Sequence, residues 1–582
     1  MSRSLVRSTL VPVLVGLALA APMFAASPAI AASGGPREAI VFLVQGVSFP
    51  DLLPLPDGVA LLSGGGSLWD QLRESLPPDA PVQVVDLGSL EAPPLPEHPE
   101  EPVVDGDALL EAWDRIRAEL RASPADEVLV VIATTAPPAT QPSNVTPVAL
   151  GAGDPAALLP EGPGPVLIPG SRLGALTSDT TRRVGVVTSA DVVATVLTFV
   201  GEPVPVDVPG SEIRTTGDPW PFALYTRYLA MRRMSVPVQT AAGLYVTAGG
   251  LFGIGLIAMR RRVPRRLARA GAWVGMSVPA LAVGLLAAGH LPTLSYATVI
   301  PFVIVVTVIG TLAFAPLARR DMLLPPAAIG AAVLLYFLVE AAVGWTAALT
   351  PFLGGSELDG GRFFGLPNVF VGLLIGASLY VACRLLPAWG FALVVAVALF
   401  AGLPFAGANL GAAVSLFAAA GLWLPLRARA RLGWRELAIA AGVVVAGTAL
   451  ILLSHRFLTS TPTHVTRFEE ATGWNLGDLW GTFTHRLATG WHLIEQNPFA
   501  LVPVIGLPAT LLAVLRPPSP VRQAFERHPA WRDALLVTLL AGIAAYVAND
   551  TGPAASGTAF GLGLGGLVYV SLIEEAGKMG PP

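Results

Sequence analysis

The sequence predicts an α/β domain followed by an all-α polytopic membrane bundle of about eleven helices. Three observations predict it. Of 582 residues, 53% are hydrophobic and 13% charged, with a mean hydropathy of +0.64, whereas water-soluble domains carry about 25% charged residues. The apolar residues gather into long runs from Val238 onward, while residues 33–215 alternate short β-branched runs with amphipathic stretches. The loops between the long runs are alternately rich and poor in arginine, as in a chain that crosses a bilayer repeatedly.

Residues 1–32 read as a signal peptide. Arg3 and Arg7 precede an apolar run from Leu10 to about Ala21, and the segment ends in small residues, with cleavage expected near Ala32. An uncleaved anchor is the alternative, and both readings put the following domain outside the cytoplasm. Cys383 is the sole cysteine, so no intrachain disulfide forms. A net charge of −4 does not suit a nucleic-acid partner.

In the α/β domain (33–215), VFLV at 41–44 predicts a buried strand running into Gln45-Gly46. A helix is expected over 67–76 and a strand over 80–87. After a Pro/Glu-rich loop at 91–105, DALLEAWDRIRAELRAS predicts a helix over 107–123, with Leu109, Leu110, Trp113, Ile116 and Leu120 on one face. DEVLVVIAT (126–134) and TPVALGAG (146–153) predict strands, and a helix follows from Ser189 to Val200. Residues 216–237 read as a linker.

Apolar stretches long enough to span are expected near 238–259, 271–289, 296–317, 322–344, 367–386, 388–405, 407–424, 435–454, 497–515, 532–549 and 556–573, followed by a tail at 574–582. With the first domain outside, the inner loops hold most arginines: Arg260–Arg262, Arg265, Arg266, Arg269, Arg319, Arg320, Arg384, Arg427, Arg429, Arg431 and Arg435. The outer loops hold only Arg362, Arg456, Arg467 and Arg486. This asymmetry predicts a multi-pass protein of a bacterial plasma membrane with its carboxyl terminus cytoplasmic. Arg227, Arg232 and Arg233 run against it.

The polar residues then sort toward the outer mouth. Glu340 is the lone acid more than one residue inside a predicted span, Glu436 and Asp533 each standing second in theirs, and the outer loops carry Asp359, Arg362, Asn368, Asn409, Arg467, Asn549 and Asp550. An acid at a helix end is also a common interfacial anchor. The 454–497 loop holds four of the seven histidines, with His485 and His492 on one helix face. Its interleaved tryptophans fit an interfacial amphipathic helix better than a metal site, which needs three or four converging ligands.

The strand–Gly loop at Gln45-Gly46, TPVALGAG, and a terminal segment with Asp191, Ala194, Thr195, Leu197 and Gly201 together resemble the alkaline phosphatase superfamily. The chain as a whole is similar to a group of actinobacterial membrane proteins that set such a domain outside a bundle carrying GRFFGLPN and a late Asn-Asp pair. The resemblance implies two divalent cations held by Asp and His, and a Thr or Ser nucleophile. Here the implied metal positions hold Gln45, Thr135, Ala136 and Asn144, and Ser48, Ser63 and Ser67 are nucleophile candidates by proximity alone. Amides and hydroxyls do not replace carboxylates and imidazoles around two dications. The reading is therefore a shortened phosphatase-like domain without metal or other cofactor.

Three functions are compatible with this pattern. The first is a binding role for the outer domain, with a lipid-linked substrate or envelope partner handled at the mouth of the bundle. The second is a membrane transferase or hydrolase acting on such a substrate. The third is a secondary transporter, for which the sequence shows neither a repeat nor a midplane acid.

Overall fold

The computed structural model describes residues 36–45, 58–63, 68–89 without 79, 91–92, 103–104, 106–136, 145–153, 175–216 without 206, 207 and 209, 221–345 without 260 and 261, 352–353, 364–428, 433–459, scattered positions from 463 to 491, 520–549 and 552–578. The signal peptide and the predicted span at 497–515 lie outside these. The described residues divide into two compact units, one holding those up to 229 with Phe364, the other those of 230–353 and 365–578.

The first unit is built on an eight-stranded mixed sheet. Its strands are β1 (Arg37–Gln45), β2 (Gly58–Ser63), β3 (Val82–Ser89), β6 (Glu127–Ala136), β7 (Val145–Gly153), β8 (Ala175–Ser178), β9 (Val186–Thr188) and β10 (Ile213–Thr216). The order is β10-β8-β2-β7-β6-β1-β3, with β9 pairing β2. The strands β4 (Glu91–Ala92) and β5 (Val103–Val104) form a separate pair. β1 lies between β3 and β6, parallel to both. That central position explains its unbroken apolar run, since a strand covered on both faces has no polar side, and Ala39 to Val44 are all buried.

One face of β1, carrying Ala39, Val41 and Leu43, packs in a cluster with Leu68 and Leu72 of helix α1 (Leu68–Ser75) and Val192, Val193, Val196 and Leu197 of helix α3 (Ser189–Val200). Helix α2 (Gly106–Ala122) buries Ala112, Ile116 and Leu120. α3 starts with a capping box between Thr188 and Asp191 and ends at Gly201, whose φ of 84° suits a left-handed cap.

The second unit is helical. It comprises α4 (Pro221–Ala258, beginning in the first unit), α5 (Arg265–Ala288), α6 (Tyr296–Phe314), α7 (Leu324–Ala342), α8 (Val371–Ala382), α9 (Pro387–Gly402), α10 (Leu410–Arg427), α11 (Trp434–Leu458), α12 (Pro520–Arg527), α13 (Pro529–Ala548) and α14 (Gly552–Lys578). Eight of the described helices are long and apolar enough to cross a membrane. α8 and α9 are apolar but shorter, 12 and 16 residues. At 1.5 Å per residue they fall short of a hydrocarbon core of about 30 Å. The segment read as a linker is helical from Pro221, because Tyr228, Met231, Met234 and Val238 recur at helical spacing and are buried.

Burial separates centre from periphery. The hydrophobic window of α14 is 89% buried, whereas those of α6 and α11 are 22% buried. α14 lies close along α5, where Gly275 and Gly565 bring the two backbones together without side chains between them. Ile304, Val308, Ile309 and Leu312 of α6, and Val445, Leu450, Leu453 and Phe457 of α11, are exposed. Wide apolar faces of that size belong in hydrocarbon, and the chain is a multi-pass membrane protein.

Candidate functional site

In the α/β unit, the resemblance directs attention to the carboxyl ends of the parallel strands, where open α/β sheets bind ligands. Three strand ends meet there, with Gln45 pairing in register with Ser89 of β3 and Ala136 of β6. Register irregularities fall at 43–45 and 44–45, so Thr135 sits within the second. The exposed Gln45 and its two neighbours include no carboxylate, imidazole or thiolate. Asn144 lies outside the described residues, as does Ser48.

The terminal segment of this unit has an evident structural task. Asp191 is fully buried, and its carboxylate accepts from Ser178 Oγ (2.8 Å), Thr188 N (2.8 Å) and Ser211 N (2.8 Å). Thr195 Oγ1 donates to Asp191 O (2.7 Å) and accepts from Ile213 N (2.8 Å). These two residues thus tie α3 to β8, β9 and β10. Arg182, in the turn after β8, stacks over the Phe364 ring at 5.2 Å within the same unit. Burial pushes its pKa below the ordinary arginine value, opposed by Asp179.

In the helical unit, the polar residues concentrate at the end where α5, α7 and α13 stop and α8, α10 and α14 start. Glu340, in the last turn of α7, is buried, and its Oε1 lies 2.6 Å from His290 Nε2. His290 follows α5 and is half exposed. Its Nε2 is also 3.2 Å from Tyr336 Oη, which donates to Leu286 O at 3.2 Å. Tyr336 has one hydroxyl hydrogen, so toward His290 it accepts.

The backbone of the same residue begins a chain of contacts. Glu340 O accepts from Trp345 N (2.7 Å), after a reversal through Gly344 and Trp345 at φ 81° and 61°. A bulky residue at positive φ is strained, and its ring is correspondingly anchored. Trp345 Nε1 donates to Ala406 O (2.7 Å), and the indole packs on Phe337 and Phe400. The 403–409 turn then holds Leu366 N through Gly407 O (2.7 Å). Gly365, at φ 100°, approaches Gly407 so closely that a Cβ would lie 2.2 Å from its carbonyl oxygen. The second glycine of GRFFGLPN is thereby explained.

Asn409 closes this layer. Its Nδ2 donates to Leu366 O (2.8 Å) and Asn368 Oδ1 (2.9 Å), while its Oδ1 accepts from Ala412 N (2.9 Å) as the N-cap of α10. All its principal hydrogen-bonding capacity is used, which makes it a staple rather than a free ligand group. Asn549 ends α13 beside Gly411, and its Nδ2 donates to Ala545 O (2.9 Å). Its buried Oδ1 has no partner among the described residues.

Glu340, Asn368, Asn409 and Asn549 therefore belong to one layer. Asp359, Arg362, Arg467 and Asp550 lie outside the described residues. His290 and Trp345 were not expected. His290 is a lone histidine in a short loop, and only the tertiary fold pairs it with Glu340. Of the loop histidines, His455 is buried, with Nε2 2.9 Å from Gly402 O and Nδ1 2.8 Å from Thr463 Oγ1, and it ties α11 to α9. Among the described residues no three His, Cys, Asp or Glu side chains converge as a metal site would require. Trp480, Leu487 and Trp491 are helical and exposed at positions that share a face.

At the opposite end, Asp321 pairs with Arg384 (2.7 Å), and buried Asp533 takes Arg532 (2.6 Å) and Arg427 (3.4 Å). These pairs neutralise cations where the helices leave the apolar zone. No family model, curated protein or solved structure matches the chain.

Proposed function

We propose that this is a bacterial plasma-membrane protein whose α/β unit is an extracytoplasmic, phosphatase-like binding domain without catalytic metals. In the same reading, the helical bundle handles a lipid-linked envelope substrate at its outer mouth. The observation that carries the second part is the buried carboxylate of Glu340, held by a half-exposed imidazole in a layer otherwise built of neutral amides and backbone. A carboxylate that is buried and paired with an imidazole, instead of reaching out to water, favours a functional group over an interfacial anchor. The first part is supported by Gln45, Ser89 and Ala136 at the three strand ends.

Each part has its own test. Purified full-length protein should bind zinc and manganese well below one ion per chain and should not hydrolyse bis(p-nitrophenyl) phosphate above background. Two tightly bound dications per chain would remove the metal-free reading. For the bundle, native mass spectrometry from nanodiscs is expected to show a lipid retained by the wild type and lost from Glu340→Gln and His290→Gln at unchanged thermal stability. Identical lipid profiles in all three proteins would sink it. The alternative of a membrane transferase is favoured by one feature, a carboxylate orienting an imidazole, which is the arrangement used to abstract a proton from a hydroxyl acceptor.

A further inference from the structure

The end of the bundle away from the polar layer carries a group of unmatched charges. Four described arginines crowd the start of α5: Arg262 just before the helix, and Arg265, Arg266 and Arg269 in its first two turns. The last three fall within one arc of roughly 100° on the helix. Arg262, Arg266 and Arg269 are exposed, and Arg265 is half-buried. Among the described residues none of the four forms an ion pair, whereas at the same end Arg384 pairs with Asp321, Arg427 and Arg532 with Asp533, and Arg527 with Glu574.

These charges are unfavourably placed without a counter-ion. They repel one another at i,i+3 and i,i+4 spacing, and they stand at the positive end of the helix dipole. No side chain caps the helix at Pro264, and its ladder begins with Ala268 N donating to Pro264 O (3.0 Å). The N–H groups of residues 265–267 therefore have no acceptor within the helix. Nε and Nη1 of Arg265 are shielded from water and lack a hydrogen-bond partner. A cation so placed is left to an anion from outside the chain.

The surroundings say which anion. Met259 and Leu267, interleaved with the arginines, are 58% and 41% exposed, and α5 is long and apolar enough to cross a membrane. Guanidinium groups beside exposed apolar side chains at the end of a span fit the boundary where phosphodiesters meet hydrocarbon. A phosphate also matches the planar fork of arginine.

We propose that the start of α5 binds the phosphodiester of an anionic phospholipid, in the leaflet that this end of the helix enters, through Arg262, Arg265, Arg266 and Arg269. The 24 residues of α5 put the site about 36 Å from the end that leads to His290, so it stands independently of the functional reading above.

Delipidated full-length protein in detergent would be titrated with phosphatidylglycerol or with phosphatidylcholine of the same acyl chains, and bound lipid counted by native mass spectrometry. The wild type is expected to retain phosphatidylglycerol several-fold more than phosphatidylcholine. Arg265→Gln combined with Arg269→Gln should abolish that preference. Arg319→Gln combined with Arg320→Gln removes the same charge from an exposed pair between α6 and α7 and should leave it unchanged. Arg265→Lys keeps the charge that orients the helix but not the fork, and should lower the preference several-fold.

Equal retention of the two lipids by the wild type overturns the proposal. So does an equal loss of preference in the two glutamine pairs, which is the signature of bulk attraction rather than a site. Displacement of phosphatidylglycerol by millimolar inorganic phosphate would assign the arginines to a soluble anion and overturn it as well. If the Arg265 and Arg269 glutamine pair does not insert, an unchanged preference in Arg265→Lys is the overturning result.

Discussion

Replacing Gly372 by valine is expected to abolish assembly of the bundle. A Cβ at this position in the first turn of α8 would lie 2.1 Å from Ala555 O, 2.2 Å from Thr558 Oγ1 and 2.4 Å from Ala559 N. Two of these three are backbone atoms of α14, so no rotamer change relieves the clash. α8 would have to withdraw from the central helix, breaking the hydrogen bond from Thr558 to Val369. Ordinary overpacking costs about 1–3 kcal/mol, and a clash against backbone lies beyond that range. The measurement is the monodisperse fraction and melting temperature in detergent. Gly442→Val on α11 is the control, since a Cβ there meets nothing within 4 Å. Equal behaviour of the two variants would show that α8 and α14 are not packed as described.

Asp191→Ala is expected to unfold one edge of the α/β unit. The substitution leaves the Ser178 hydroxyl and the backbone N–H groups of Thr188 and Ser211 without their acceptor. Hydrogen bonds to a charged group contribute about 1.5–3 kcal/mol each, and a stranded buried donor costs a similar amount. The total is a large share of the roughly 5–15 kcal/mol that stabilises a domain. Hydrogen exchange on the full-length protein should show residues 175–216 losing protection while β1 and β6 keep theirs. Asp191→Asn retains one acceptor oxygen and should lose less. Undiminished protection in the alanine variant would mean that Asp191 is not the clasp of this segment.

That segment also illustrates what was legible in advance. Residues 189–200 were expected as a helix, and α3 has those bounds, because Thr188, Asp191 and Gly201 are local signals readable without a fold. β1 and β6 were equally clear from their apolar runs. β2, β8, β9 and β10 have no counterpart in the sequence reading. They are three to six residues long, too short to show a period-2 pattern, and β8 and β10 pair with each other across the whole stretch of chain between Ser178 and Ile213, which no local signal reports.

In the membrane half, hydropathy located ten of the eleven expected stretches in described helices, with the eleventh outside the described residues. The candidate site was legible only in part. Glu340 stood out as a lone acid in an apolar run, but its partner is 50 residues earlier in a loop with no distinguishing pattern. Asn409 suggests a ligand group in the sequence because it is a polar residue among apolar ones. Its engagement with Leu366, Asn368 and Ala412 depends on tertiary contacts that no local pattern reports.

The deep burial of α14 has a consequence for biogenesis. It follows every other described span in sequence, so it is the last of them to leave the ribosome. Until then the glycine face of α5 lies against lipid, which is tolerable because lipid tails are as apolar as the helix that will replace them. Insertion of each span and closure of the bundle are therefore separate events, and the second waits on translation. Ribosome-bound chains stalled before Gly552 would hold inserted helices that have not yet acquired a common core.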